Sequence, residues 1–103
     1  MLTLAFNYYD NPTMLAVHIE AWRRYPEGFR FLIVDDGSPN GPALPVVEKH
    51  GRDLPIAVYR VMENIPWNWD GARNLAMTVA KTEWVWLLDM DRLVEPEQAA
   101  KAL

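Results

Sequence analysis

An α/β domain on an open, mostly parallel sheet with flanking helices is the fold class this 103-residue sequence predicts. Three observations carry that expectation. Short apolar runs alternate with helix-like stretches in the order strand, helix, strand, helix, strand, helix, strand. The run Glu83–Leu88 is nearly continuous in apolar character, as a strand covered on both faces should be. Polar and acidic residues follow each apolar run, where parallel strands bring their carboxyl ends to one edge.

Each element has a local reason. Leu2–Phe6 reads as the first strand, followed by Asn7-Tyr8-Tyr9-Asp10. Asn11 before Pro12 is a helix start, a side-chain cap ahead of a residue that lacks a backbone donor. Leu15, Ile19 and Trp22 then form one apolar stripe on a helix reaching about Arg24. Phe29–Val34 is a second strand, ended by the turn-rich stretch from Asp35 to Pro42. A short helix covers Leu44–His50 with Gly51 as its stop, and Ile56–Val61 is a third strand. A loop, Met62–Gly71, leads to a helix at Ala72–Lys81 and then to the fourth strand. Past Asp89-Met90-Asp91 the chain turns at Pro96 into a last helix, Glu97–Leu103. No repeat or internal domain boundary interrupts the pattern, so residues 1–103 read as one domain.

Composition narrows the function classes. Half of the residues are hydrophobic, enough for one core in a domain this size. The net charge of −4, with no basic run, argues against a nucleic-acid partner or a polybasic membrane footprint. The absence of cysteine excludes a disulfide framework and a thiolate metal site. Neither a transmembrane segment nor a signal-peptide pattern is evident, which makes a cytoplasmic location the default expectation.

The polar residues at the strand ends are the candidates for chemistry. Asn7 follows strand one, Asp35 and Asp36 follow strand two, Asn64 follows strand three, and Asp89 and Asp91 end strand four. Residues two apart in an extended segment point the same way, so Asp89 and Asp91 can face one cation. Hard oxygen ligands suit Mg²⁺ or Mn²⁺, and a divalent ion relieves the repulsion between two close carboxylates. The alternative is a solvated strand end paired with Arg92. Asp35-Asp36-Gly37-Ser38 is a strong turn by itself, while a carboxylate there can also accept the imide N–H of a uracil or the amino group of a guanine. Gly71-Ala72-Arg73-Asn74 opens a helix whose N-terminus favours anions, and Arg73 can add a bidentate hold on a diphosphate. Trp67 and Trp69 flank Asn68, placed either to stack on a sugar or to plug a core. Trp84 and Trp86 alternate on strand four and are expected to pack against a helix. His18 and His50 have no partner at ligand or triad spacing and receive no chemistry. No Gly-x-Ser-x-Gly nucleophile and no phosphate-cradling glycine loop is present.

Taken in order, the strand ending in Phe6-Asn7, then "LIVDDGSPNG", "ENIPWNWDGARNLAM" and "WVWLLDMD", resemble the nucleotide-sugar-binding half of a family 2 glycosyltransferase. The resemblance covers essentially the whole chain and implies the Rossmann-like half of a GT-A fold. It further implies that Asp36 recognises the nucleobase, with Phe6 and Asn7 framing the base pocket and Asp35 shaping the loop. By the same resemblance Arg73 lies near the diphosphate of a UDP- or GDP-sugar donor. The resemblance also implies that Asp91 binds Mn²⁺ or Mg²⁺ and that Asp89 faces the ribose or shares the metal. The implied reaction is a metal-assisted displacement at the anomeric carbon.

Two features depart from that family. Its Asn-x-Gly before the Ala-Arg-Asn helix is replaced by Asn64-Ile65-Pro66 with a longer loop. Only twelve residues follow Asp91, so the acceptor-binding half and catalytic base are expected to be missing from this chain. A non-catalytic nucleotide-binding module is therefore an alternative reading, and self-association through the sheet edge beyond strand four is a further expectation. "LLDMDRLV" also resembles the first motif of haloacid-dehalogenase-like phosphatases, which would make Asp89 a nucleophile. Leu93 stands where that family usually has Thr or Val.

Overall fold

Among the described residues seven elements carry the fold: β1 (Leu2–Tyr8), α1 (Pro12–Trp22), β2 (Phe29–Asp35), α2 (Ala43–His50), β3 (Ile56–Arg60), β4 (Trp84–Asp89) and α3 (Pro96–Ala102). They come from a computed structural model that describes residues 1–61, 84–90 and 92–102. The predicted loop Met62–Gly71 and helix Ala72–Lys81 lie outside the described residues, as do Asn64, Trp67, Trp69, Arg73 and Asp91.

All three strand pairings are parallel, and the strand order is β3-β2-β1-β4. The open parallel sheet with flanking helices is thus the architecture observed. Asn11 caps α1 through its side-chain oxygen, 3.2 Å from the Met14 N–H, and Pro12 occupies the first turn. The predicted stripe Leu15, Ile19 and Trp22 is buried against one face of the sheet. Alternation in the strands supplies its complement: Leu4, Phe6 and Tyr8 from β1, Phe31 and Ile33 from β2. Trp22 stacks on Phe31 at 4.7 Å between ring centroids and meets Phe6 edge-on at 5.6 Å. On the opposite face Ala5, Leu32 and Val34 form a smaller apolar cluster.

The boundaries differ from the sequence reading in informative places. β1 runs to Tyr8 rather than Phe6, because this central strand pairs on both sides through Asn7 and continues to Asp35 on β2. α1 stops at Trp22 rather than Arg24, and its exit tightens into i→i+3 bonds from Arg24 to Ala21 and from Tyr25 to Trp22. The expectation that strand four is covered on both faces is corrected. β4 pairs only with β1 among the described strands, Trp84 is 68% exposed, and Leu87 is exposed on the other face. Trp86 packs against the main core. Among the described residues no helix is long and apolar enough to cross a membrane.

His18 lies in the core beside Phe6 with 2% of its surface exposed. Burial pushes its pKa below the ordinary 6.5, against the opposing influence of its contact with the Met90 carbonyl. The unfolded chain therefore takes up a proton that the folded chain resists. This contribution to stability is complete above the unfolded value and is lost as pH falls through it. The urea midpoint is expected to fall between about pH 7.5 and pH 5.5, less so in His18→Gln. In the same denaturation assay Trp22→Ala is expected to cost about 3–5 kcal/mol, the range for emptying a core indole site.

Candidate functional site

The strand order creates one topological switch point. From β1 the chain builds outward through β2 and β3, then returns with β4 on the other side of β1. In open α/β sheets ligands bind at the carboxyl ends of strands flanking such a point. Here those ends carry Asn7 on β1 and Asp89 on β4, which are register partners and so project from the same face. Asn7 and Asp89 are each half-buried.

The neighbouring end of β2 is organised by carboxylates acting on the backbone. Asp35, 1% exposed, accepts hydrogen bonds from the Ser38 N–H at 3.1 Å, the Ser38 hydroxyl at 2.5 Å and the Ala43 N–H at 2.8 Å. One side chain therefore closes the turn after β2 and satisfies the first turn of α2, whose preceding cap residue Pro42 offers no side-chain hydrogen bond. Gly37 at the turn's apex has φ of 68°, the left-handed region glycine adopts without steric cost. The Ser38 hydroxyl oxygen in turn accepts from the Asp10 N–H at 2.9 Å.

Asp10 repeats the device from the loop after β1. Its carboxylate accepts from the Asn40 N–H at 3.0 Å and the Gly41 N–H at 2.6 Å, and from the Asn40 side-chain amide at 3.3 Å. The Gly41 N–H above all holds the Asp10 carboxyl below the usual carboxylate range. Asp10 has φ of 48°, a left-handed conformation that these bonds help to hold. The Tyr8 hydroxyl donates to the Gly41 carbonyl at 2.6 Å, and burial pushes its pKa up to about 12, so it stays protonated. A Cβ at Gly41 would lie 2.8 Å from the Pro12 ring, so this loop meets the start of α1 too closely for a larger residue.

Against this frame the predicted site residues separate. Asp36 is 5% exposed, and its N–H continues the ladder to the Tyr8 carbonyl at 3.0 Å. Asp35 is taken up by the loop it organises. Phe6 has no exposed surface, and its ring lies against His18 and Trp22 on the helix side. Alternation along β1 sends its neighbour Asn7 to the opposite face. Arg73 and Asp91 lie outside the described residues. Among the described residues no group of three His, Cys, Asp or Glu side chains gathers to hold a metal.

The residue the sequence reading passed over is His18, whose Nε2 lies 2.9 Å from the Met90 carbonyl oxygen. Its partner is a backbone group 72 positions away, which no spacing rule for ligands or triads could find. A second tie of the same kind joins the Tyr25 hydroxyl to the Val94 carbonyl at 2.6 Å.

A four-stranded parallel sheet, helices packed on it and a polar rim at the β1/β4 switch point define a Rossmann-like α/β domain of the GT-A kind. The chain belongs to glycosyl transferase family 2, whose family model matches residues 3–103. That match leaves the phosphatase resemblance of the Asp89 segment without support. Among solved structures the chain is similar to S. aureus TarS 1-349, with a TM-score of 0.84 and 22% identity over 98% of this chain and 30% of that one. TarS itself gives the same TM-score at 23% identity, with 98% of this chain and 18% of that one covered. TarS 1-349 in complex with UDP gives 0.84 and 23%, covering 98% and 30%. The chain thus spans less than a third of the length of these structures, and at such identity the likeness is one of fold. No curated protein matches.

The loop frame yields a stability ordering. A buried donor left without its acceptor costs about 1–3 kcal/mol. Asp35→Ala strands three such groups and is expected to lower the urea midpoint more than Asp10→Ala, whose donors lie nearer solvent. Equal losses in the two variants would show that Asp35 is not the organising group.

Proposed function

We propose that this chain provides the donor site of a glycosyltransferase, binding a nucleoside diphosphate sugar across the carboxyl edge of its sheet. The observation that carries the reading is the pairing of Asn7 with Asp89 at the switch point, with Asp36 at the end of the adjacent strand. Asp36 accepts the imide N–H of the base, and Asn7 lines the same pocket. Asp89 hydrogen-bonds the ribose or shares a divalent cation with Asp91, and Arg73 contacts the diphosphate. UDP is the favoured nucleotide because one similar structure is a UDP complex.

Mn²⁺ or Mg²⁺ suits this donor set. A hard cation on a diphosphate takes most of its octahedral ligands from phosphate oxygens and water, so one or two carboxylates suffice and no protein cage is needed. Bound there, the ion would supply charge neutralisation for a departing nucleoside diphosphate. The protein's own share is to hold the base and ribose and to aim carboxylate oxygens at the phosphate edge. Transfer to an acceptor is assigned to the whole enzyme, with this chain as its nucleotide-sugar module.

Titration calorimetry with UDP and GDP, in Mn²⁺ and in EDTA, tests the reading. Wild type is expected to bind UDP more tightly with Mn²⁺, and Asp91→Ala to lose that enhancement. Asp36→Asn is expected to weaken binding by about tenfold in either buffer, equivalent to about 1.4 kcal/mol. Absence of binding to both nucleotides, or an enhancement indifferent to Asp91→Ala, would overturn it.

A further inference from the structure

We propose that His18 is a positioning residue for the turn after β4, fixing the Met90 carbonyl so that the Asp89 carboxylate is presented to a nucleoside diphosphate and its cation. The inference rests on the donor-site reading above and adds to it a residue on the far side of the sheet.

The geometry begins with the acceptor. A carbonyl oxygen can only accept, so the imidazole carries its proton on Nε2, 2.9 Å away. That tautomer leaves Nδ1 as an unprotonated nitrogen, and Nδ1 is buried with no hydrogen-bond partner among the described residues. A core site serving packing alone would be filled with less loss by Leu or Phe, which bury no orphan nitrogen. What His18 supplies in return is one donor, rigidly aimed. Its ring is clamped 4.6 Å from Phe6 and 6.3 Å from Trp22, on the helix face welded to β1.

The bond matters because of where Met90 stands. The Arg92 N–H donates to the Asp89 carbonyl at 3.1 Å, closing a turn with Met90 as its second residue. Fixing the Met90 carbonyl therefore holds this turn at its second residue, one position past Asp89. The Tyr25–Val94 bond holds the same connection four residues further on. The turn is thereby tied to α1 from below while Asp89 projects from the sheet face it shares with Asn7. Between the start of α1 and this turn lies a cleft of about 420 Å³ lined by Thr13, Met14, Val17, His18, Met90 and Leu93. Bare packing therefore leaves room for the turn to shift if the bond is lost.

The test separates donor from bulk. His18→Phe keeps a ring and removes the donor; His18→Gln returns an N–H near the position of Nε2. For wild type and each variant, UDP affinity is measured by calorimetry in Mn²⁺ and in EDTA, and amide hydrogen exchange at Arg92 is followed without ligand. In His18→Phe the Mn²⁺ enhancement of UDP affinity is expected to fall by about tenfold, with affinity in EDTA changed less than about twofold. Exchange at Arg92 quickens, and His18→Gln restores both readouts. His18→Leu replaces His18→Phe if the latter fails to fold. An unchanged enhancement in His18→Phe, unchanged exchange at Arg92, or equal loss in His18→Phe and His18→Gln would overturn the positioning role while leaving the donor site standing. Failure of wild type to bind UDP in either buffer would instead overturn the donor-site reading, and with it the ligand assigned to the turn.

Discussion

The carboxylate of Asp35 is the constraint on which the rim of this sheet depends. A charged group with almost no solvent contact is tolerated only when its oxygens are met by donors. Here the donors belong to the turn after β2 and to the first residue of α2. Satisfying the charge therefore dictates where β2 ends, how the chain reverses and where the next helix starts. Through the Ser38 hydroxyl the constraint passes to the loop after β1, where Asp10 takes up the Asn40 and Gly41 amides. Two carboxylates used this way build a rigid border from segments with no regular structure of their own.

That border explains why neighbouring acidic residues can have different duties. Asp35 and Asp36 are adjacent in sequence, yet the first is committed to the helix side of the sheet and the second leads off the strand end. Family membership and the shared fold with TarS agree with a parallel sheet flanked by helices. On the helix side the packing of Trp22, Phe31 and Phe6 locks α1 to the strands. Side chains reaching outward from α1 can therefore act as fixed posts.

Much of the fold was legible in the sequence because its causes are local. The Asn11-Pro12 cap, the Leu15–Ile19–Trp22 stripe and the apolar runs of β1 and β2 each depend on residues a few positions apart. The parallel sheet followed from their alternation. What stayed hidden depends on partners distant in sequence. Asp10 reads as a generic loop residue until Asn40 and Gly41 arrive beside it, and His18 as an idle core histidine until Met90 does. The Phe6-Asn7 pair shows a third limit: a motif names two residues together although the pleat of β1 sends them to opposite faces. Strand four misled in another way. Its apolar run resembles that of a covered strand, while Trp84 stands largely in solvent.

The long span of the ties to the segment after β4 also orders events in time. The His18–Met90 and Tyr25–Val94 bonds link residues 72 and 69 positions apart, and β4 must find β1 across most of the chain. Closing so large a loop carries an entropic cost that β1, α1 and β2 do not face among themselves. The half of the rim carrying Asn7, Asp35 and Asp36 can therefore form early, from near neighbours. The half carrying Asp89 joins it only through that long closure.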